Sequence, residues 1–569
     1  DLTGSKDMDP ISFAARREEL MDNAANFEGR DRENARLELA YLLLGNRLGN
    51  EALGVLNVML SQNRIEDLNG DILMATAAAS VVADRPKDAL ALLNSDKLSE
   101  DVDAVMWRSM ARVLMRDFKG ARSDVLATET IIKDYPVWVR NKFLLSGLRA
   151  ALETSDMELA VRLSDKIEFA RLDKGAASQF NLLQARIAEM DGRNDEALDN
   201  YGRVIAQDIR PTRAAAIYRT VALLDKMGRL DAAKGAQTLS RESIVWRGGP
   251  LEAQMLQLLA RLQFRNKDYR DAFSTVREAA QAHIETKDIV ALTEEAQQVF
   301  VDLFNNGGAD ALGNLDALAL FYDFRYLTPS GARGDEMIRN LARRLVRVDL
   351  LQQAGDLLEY QVDTRLDGAA RAQIAADLAI IRIADGKPAK ALSVLKRPSL
   401  ANLAPSLTRQ RRILEARALI DAGRMELALD VLKQLDGRDA DLLRIDAYWR
   451  QGQYSAAAEQ IERVYSRRNT DIPLSQAARM NLIKAAVGYV LGEDRIGLSR
   501  VRAKFSDQIA NSPEWPMFDY VTSSLKQSGS DFKAVAAQVA GIDSMSAFLN
   551  AYRQTYEPDG ALAPRVKPG

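Results

Sequence analysis

The chain has no cysteine in 569 residues and a single histidine, His283. The first absence excludes disulfides, thiol nucleophiles, thiolate metal sites and iron–sulfur clusters. The second leaves His283 as the only imidazole for a Ser/His/Asp grouping, and HExxH cannot be written with one histidine. Long apolar runs are also missing. The longest charge-free, largely apolar stretch, residues 72–83, includes Thr76 and Ser80 and falls well short of the roughly 20 residues that span a bilayer. Proline is scarce at 15 residues, aromatics make up 6%, and a net charge of −3 provides no global field toward nucleic acid or an anionic membrane. A long cysteine-free chain is compatible with an oxidising compartment, and a periplasmic location is expected, with the cytoplasm as the alternative. The sequence opens at Asp1 on a polar stretch that reads as a linker, so an N-terminal signal or anchor removed upstream is part of that expectation.

What is present is 47% hydrophobic and 28% charged, the mixture of a mostly helical protein. At this length the alternatives are several domains or an elongated repeat array. Three segments share one grammar: ARIAEMDGRNDEALDNYGRV at 185–204, AIIRIADGKPAKALSVL at 379–395 and ARALIDAGRMELALDVL at 416–432. In each, a small residue lies 12 positions before an Ala in the second apolar helix, and a Gly lies five before it. Extending the frame puts the second-helix small residue at Ala52, Ala89, Ala121, Ala160, Ala197, Ala233, Ala272, Ala311, Ala354, Ala391, Ala428, Ala457 and Gly497, with a mean spacing of about 37. The copies at Ala160, Ala311 and Gly497 fit least well. Two antiparallel helices of about 12 to 15 residues with short turns fill such a unit. One pair cannot bury both apolar faces alone, so pairs must stack.

The frame resembles the tetratricopeptide repeat, in which a small residue in the first helix, Gly in the turn, an aromatic just after it and Ala in the second helix recur. The matches are Gly192 with Ala197, Gly228 with Ala233, Tyr269 with Ala272, Phe118 with Ala121, and Gly452 and Tyr454 with Ala457. The family's Trp near the start of the first helix and Pro at the end of the second are mostly absent. The resemblance implies an all-α fold, a right-handed alpha-solenoid of about 13 antiparallel helix pairs. The expected organisation is an N-terminal linker and capping helix over 1–30, with the helix around 13–25, then a solenoid over 31–328 and a second over 335–510. Capping helices over 511–556 and a flexible tail at 557–569 complete it. The Gly/Pro loop at 330–334 is the expected hinge, 396–406 a second loop-like link, and 541–544 a turn within the final helical segment.

No GxxxxGK[ST], GxGxxG or GxSxG motif occurs. His283, at the end of a second helix, reads as structural. Acidic pairs such as Glu18/Glu19 and Glu294/Glu295 read as solvated helix faces, and DGRDAD at 436–441 lacks the alternating ligands of a calcium loop. No catalytic residue, cofactor or metal is therefore expected. By resemblance, the residue after the first-helix small position faces the concave groove, and in five of 13 copies it is arginine: Arg149, Arg186, Arg261, Arg343 and Arg417. These are the candidate partner-binding residues, suited to an acidic peptide or a chain-terminal carboxylate. The opposing reading is that arginine is a good helix former common throughout this chain. Arg409, Arg411 and Arg412 read as a solvated helix start, and the five tryptophans as core plugs.

The function implied is a non-catalytic protein-binding scaffold of a bacterial envelope assembly, with the flagellar motor and its stator as the specific expectation. The alternatives are an accessory protein of cell-wall synthesis or a lipoprotein pathway and, from another class, a solenoid glycan-cleaving enzyme working through carboxylates. Protein partners are expected, nucleic acid and membrane insertion are not, and open solenoid ends leave a homo-oligomer or ring open.

Overall fold

The computed structural model describes residues 9–62, 69–283, 286–396, 403–466, 473–523, 530–540 and 544–556. The expected tail at 557–569, most of the N-terminal linker, most of the 396–406 link and the turn at 541–543 lie outside the described residues. The described chain is helical, and it divides into two compact units, Asp1–Leu292 and Thr293–Gly569. The hinge expected at 330–334 lies inside the second unit. There Arg365 donates to Pro329 O at 2.6 Å and to Asp335 at 3.1 Å, which pins the loop.

The first unit runs α1 (Pro10–Asn26), α2 (Gly29–Gly45), α3 (Gly49–Gln62), α4 (Gly70–Val82), α5 (Pro86–Leu93), α6 (Val102–Leu114), α7 (Phe118–Thr128) and α8 (Val137–Glu153). It continues with α9 (Met157–Asp165), α10 (Lys174–Met190), α11 (Asn194–Gln207), α12 (Arg210–Lys226), α13 (Ala232–Val245), α14 (Gly249–Arg265) and α15 (Tyr269–Ala282). The second unit opens within α16 (Lys287–Asn305) and contains α17 (Asn314–Asp323), α18 (Ala332–Arg347), α19 (Leu351–Thr364), α20 (Gly368–Ala384), α21 (Pro388–Lys396), α22 (Pro405–Asp421) and α23 (Met425–Leu432). It ends with α24 (Arg438–Arg450), α25 (Tyr454–Ser466), α26 (Gln476–Leu491), α27 (Arg495–Ile509), α28 (Trp515–Thr522), α29 (Ser530–Ala540) and α30 (Ser544–Tyr556).

The turn inside each pair explains the period. Five residues before the second-helix Ala the backbone is left-handed in copy after copy: at Gly192, Gly228, Gly386, Gly423 and Gly452, but also at Arg47, Asp84, Arg116, Ser155, Lys267 and Asp349. The following amide reaches back to the first helix, as Asp156 N to Ala151 O at 2.9 Å and Arg424 N to Leu419 O at 2.8 Å. That hydrogen bond closes a Schellman-type end. The next helix then starts at once, capped in several copies by an aspartate: Asp117 accepts from Gly120 N at 3.0 Å and Asp156 from Leu159 N at 3.0 Å. Only then does the Ala enter the seam. Ala52, Ala89, Ala121, Ala160, Ala197, Ala272, Ala354, Ala391, Ala428 and Ala457 are all at 0% exposure, so the neighbouring helix leaves no room beyond a methyl group.

Two positions of the frame are corrected. Ala233 is exposed, because α13 starts two residues late, and the buried small residue is Gly235, where an added Cβ would lie 2.9 Å from Leu230. Ala311 falls in a short 3-10 turn, Gly308–Ala311, whereas Ala317 of α17 is fully buried and Phe321 stacks on Phe300 of α16. Each corrected position lies 37 residues before the next, since 272 − 235 and 354 − 317 both equal 37, while the step from Ala272 to Ala317 lengthens to 45. The weakly fitting copies at Ala160 and Gly497 are genuine, the latter because Tyr489 occupies the space a Cβ would need.

In the first unit, α2, α4, α6, α8, α10, α12 and α14 each pack on the next of their series, whereas the second helices touch one another far less. The free faces of the first helices therefore share one inner side. In the second unit α20, α22 and α24 do the same. The C-terminal helices are not all caps. α28 closes the end of α26 and α27, and α29 packs on α26, but α30 turns back onto α24.

Candidate partner-binding groove

The inner side of the first unit holds a cavity of about 400 Å³ beside α8. Its wall takes Trp138, Lys142 and Arg149 from α8, Val113 and Leu114 from the end of α6, and Arg47 and Arg171 from two turns. Lys142 and Arg149 are seven residues apart, two turns of one helix, and so share a face. Arg47 lies over the Trp138 ring, 5.9 Å from its centroid, and pairs with Asp173 at 2.8 Å. Among the described residues neither Lys142 nor Arg149 has an ion-pair partner. Arg149 rests over the Phe118 ring at 5.7 Å instead.

The electrostatic consequence is visible in both groups. Burial pushes the Lys142 ammonium below its ordinary pKa, and Arg47 adds repulsion that Asp84 opposes. Burial likewise lowers Arg149, with Arg186 and Arg116 pushing the same way and Glu153 against them. Two desolvated cations on one wall destabilise the empty groove and favour an anion that would relieve both.

A second cavity of about 420 Å³, built on α2, α4 and α6, carries Asp71, Asp101 and Asp103 beside Tyr41 and Trp107. Three of its four carboxylates are already engaged: Asp101 caps Ala104 N at 3.0 Å, Asp103 accepts from the Tyr135 hydroxyl at 2.7 Å, and Asp71 accepts from Asn69 at 3.2 Å, while Asp134 is exposed to solvent. The basic groove is the one with unspent capacity.

The five arginines expected to line one groove do not act alike. Arg149 does line the cavity. Arg186 is largely buried and held by Glu153 at 2.7 Å. Arg261 is exposed on α14. Arg343, in the second unit, is engaged by Glu336 at 3.2 Å and Asn340 at 2.9 Å along its own helix. Arg417 corrects the expectation outright: at 1% exposure it is an interior cation, bidentate on Asp421 at 2.8 and 2.9 Å, 3.2 Å from Asp446, and covered by the Phe548 ring. Arg409 and Arg411 are not a solvated helix start either. Arg411 is buried and donates to Ala372 O at 2.9 Å, and Arg409 grips Asp439 at 2.7 Å. Frame reasoning missed Lys142 and Arg47. The signal for Lys142 was available as the two-turn spacing to Arg149, whereas Arg47 reaches Asp173 across 126 residues of sequence.

Chemistry by a sheltered glutamate finds little support. Glu242, Glu252, Glu462 and Glu514 are buried, and each faces a cation: Arg213 at 3.3 Å, Arg247 at 3.2 Å, Arg500 at 2.9 Å and Arg479 at 2.6 Å. His283 Nε2 lies 3.3 Å from Glu252, whose carboxylate accepts from Gly248 N, but this nitrogen is buried and makes no hydrogen bond. Among the described residues no group of three or more His, Asp or Glu could hold a metal ion, and no helix is long and apolar enough to cross a membrane.

No known protein family matches the sequence, and no curated protein matches it. Solved structures do align. A tetratricopeptide repeat protein from Parabacteroides merdae matches 49% of this chain and 97% of its own at 13% identity and TM-score 0.33. The tetratricopeptide domain of P58(IPK) matches 81% and 99% at 14% identity and TM-score 0.27. The pentatricopeptide repeat protein PPR10, solved in complex with an 18-nucleotide RNA element, matches 98% and 76% at 13% identity and TM-score 0.25. The fold itself is read from the recurring left-handed turn and buried alanine, and on that ground the chain is a tetratricopeptide-like helical repeat in degenerate copies.

Proposed function

We propose that the chain is a non-catalytic protein-binding scaffold, and that a partner places an acidic segment in the groove of the first unit against Lys142 and Arg149. The observation that carries this reading is that Lys142 and Arg149 stand on one face of α8 in the cavity wall with no ion-pair partner among the described residues, and burial lowers the pKa of both. A carboxylate there would accept hydrogen bonds from the guanidinium fork and return the charge balance that burial disturbs. A protein segment fits better than a nucleic acid. The same helices α4 and α6 carry Asp71, Asp101 and Asp103, which would repel a continuous phosphate backbone.

The setting we propose is the bacterial periplasm, where the absence of cysteine is an advantage. The assembly is an envelope machine, with the flagellar motor and its stator as the specific proposal. An accessory role in cell-wall synthesis or a lipoprotein pathway is the alternative. The test is a crosslinking pull-down from native envelope with the unchanged chain and with Lys142→Glu/Arg149→Glu. Loss of one dominant partner at unchanged helicity supports the reading and names the machine. An unchanged partner set overturns the basic groove as the binding site.

A further inference from the structure

The second unit shows what a bound segment looks like on the inner side of these helices, because its own C-terminus provides one. α29 merges with the pairs before it: Phe532 and Val539 belong to the same apolar core as Leu482, Val501 and Phe518. α30 is outside that core. It packs on α24 and meets side chains of α22, polar ones among them. Gln410 donates to the Tyr552 hydroxyl at 2.7 Å, the Tyr556 hydroxyl donates to Asp439 at 3.0 Å and contacts Arg409, and Ser544 donates to Asp446 at 3.2 Å. Phe548 covers Arg417, with 5.5 Å from the guanidinium carbon to the ring centroid. Phe548 and Tyr552 are at 0% exposure.

Phe548, Tyr552 and Tyr556 are four residues apart, one stripe of a helix. The adjacent rings stand 5.9 and 5.0 Å apart. Thirteen residues are too few for a helix to persist alone in water, so α30 is helical because it is seated. The seat offers cation faces to rings and amide or carboxylate groups to hydroxyls, which is recognition chemistry of the helix-in-groove kind.

We propose that the inner face of α22 and α24 is a helix-binding surface held closed by α30, and that it opens to a partner helix carrying aromatic residues at the spacing of Phe548, Tyr552 and Tyr556. The tether sets the threshold. A segment joined to its own site competes at an effective concentration of about millimolar, so only a partner helix that binds better, or is held nearby, displaces it. This inference concerns the second unit and stands or falls separately from the groove of the first.

The experiment uses the full chain and a labelled peptide of residues 544–556, with amide hydrogen exchange as the second reading. With Phe548→Ala/Tyr552→Ala, α30 loses protection, α22 and α24 keep theirs, and the peptide binds at least about tenfold more tightly than to the unchanged chain, whose site is filled. The milder Tyr552→Phe/Tyr556→Phe, which removes only the hydroxyls, gives the same pattern at smaller amplitude. Adding Arg409→Ala/Gln410→Ala to the released chain abolishes peptide binding. Equal peptide binding by released and unchanged chains overturns the proposal. So does loss of protection in α22 and α24 together with α30, which would make α30 a structural strut. An unchanged chain that proves to be a dimer with α30 crosslinked to the second copy overturns the intramolecular seat.

Discussion

Arg417 and Phe548 meet face to ring, 5.5 Å apart, on a surface that neither could leave without exposing a charge or a large apolar ring. Arg417 also ties Asp421 of its own helix to Asp446 of the next first helix. Its removal strands two carboxylates that Arg450, at 3.4 and 3.1 Å, only partly satisfies. Arg417→Ala should therefore destabilise the second unit by about 3 kcal/mol, the range found when one partner of a buried ion pair is deleted. Urea unfolding followed by circular dichroism measures it. A change within about 0.5 kcal/mol would return Arg417 to the class of surface arginines.

The left-handed turns make a prediction of opposite signs. At Ser155 and Lys267 a side chain holds a conformation that costs a non-glycine residue roughly 1 kcal/mol, so Ser155→Gly and Lys267→Gly should raise the thermal midpoint. Gly192 and Gly423 hold the same conformation with no strain, so Gly192→Ala and Gly423→Ala should lower it by a similar amount in free energy. Differential scanning calorimetry of the four variants decides. Uniform destabilisation would mean that these side chains contribute contacts outweighing their backbone strain.

This turn also shows how far the sequence carries the fold. Five copies announce the left-handed residue with glycine, and from those the whole period follows. At Arg47, Asp84 and Arg116 the same conformation is filled by residues that signal nothing, because stacking of the pair, rather than local preference, forces it. The misplacement at Ala233 has the same origin: two extra turn residues before α13 shift the seam to Gly235 without changing the hydrophobic pattern. The site was less legible. Helical spacing assigns Arg417 and Arg149 equivalent faces, and what separates them is α30, which returns from about 130 residues downstream to cover one and not the other.

Binding at the basic groove should weaken with salt, since both ends of the interaction are charged. Between about 0.05 and 0.5 M salt the affinity of an acidic peptide should fall at least about tenfold. Arg47 over the Trp138 ring supplies the readout, because a ligand that draws the guanidinium away changes the indole's surroundings. Titration of tryptophan emission, with Trp138→Phe as the blank, follows it. A salt-independent response would assign the signal to apolar contact with Val113 and Leu114 in place of Lys142 and Arg149.

Asp377 on α20 gives the clearest dependence on pH. Burial pushes its carboxyl up to about 6, against the pull of Arg339 and Arg343 and the amide of Gln373, and one of its oxygens has no hydrogen bond. A folded pKa above the unfolded value near 4 means that the folded state holds the proton longer as pH rises. This group's contribution to stability therefore falls between about pH 4 and 6 and then stays level, a penalty of up to about 3 kcal/mol at pH 7. Asp377→Asn should remove that penalty, stabilising the second unit at pH 7 and changing little at pH 4. Carboxylates held low by partners, such as Glu514 beside Arg479, lose stability in the opposite direction as pH falls, but they are common to both proteins and cancel in the difference. Urea midpoints of the two proteins at pH 4, 5, 6 and 7 measure that difference directly. No gain at pH 7, or a loss there, would show that Asp377 keeps its charge through the titration, with Arg339, 3.9 Å away, as its working counter-ion.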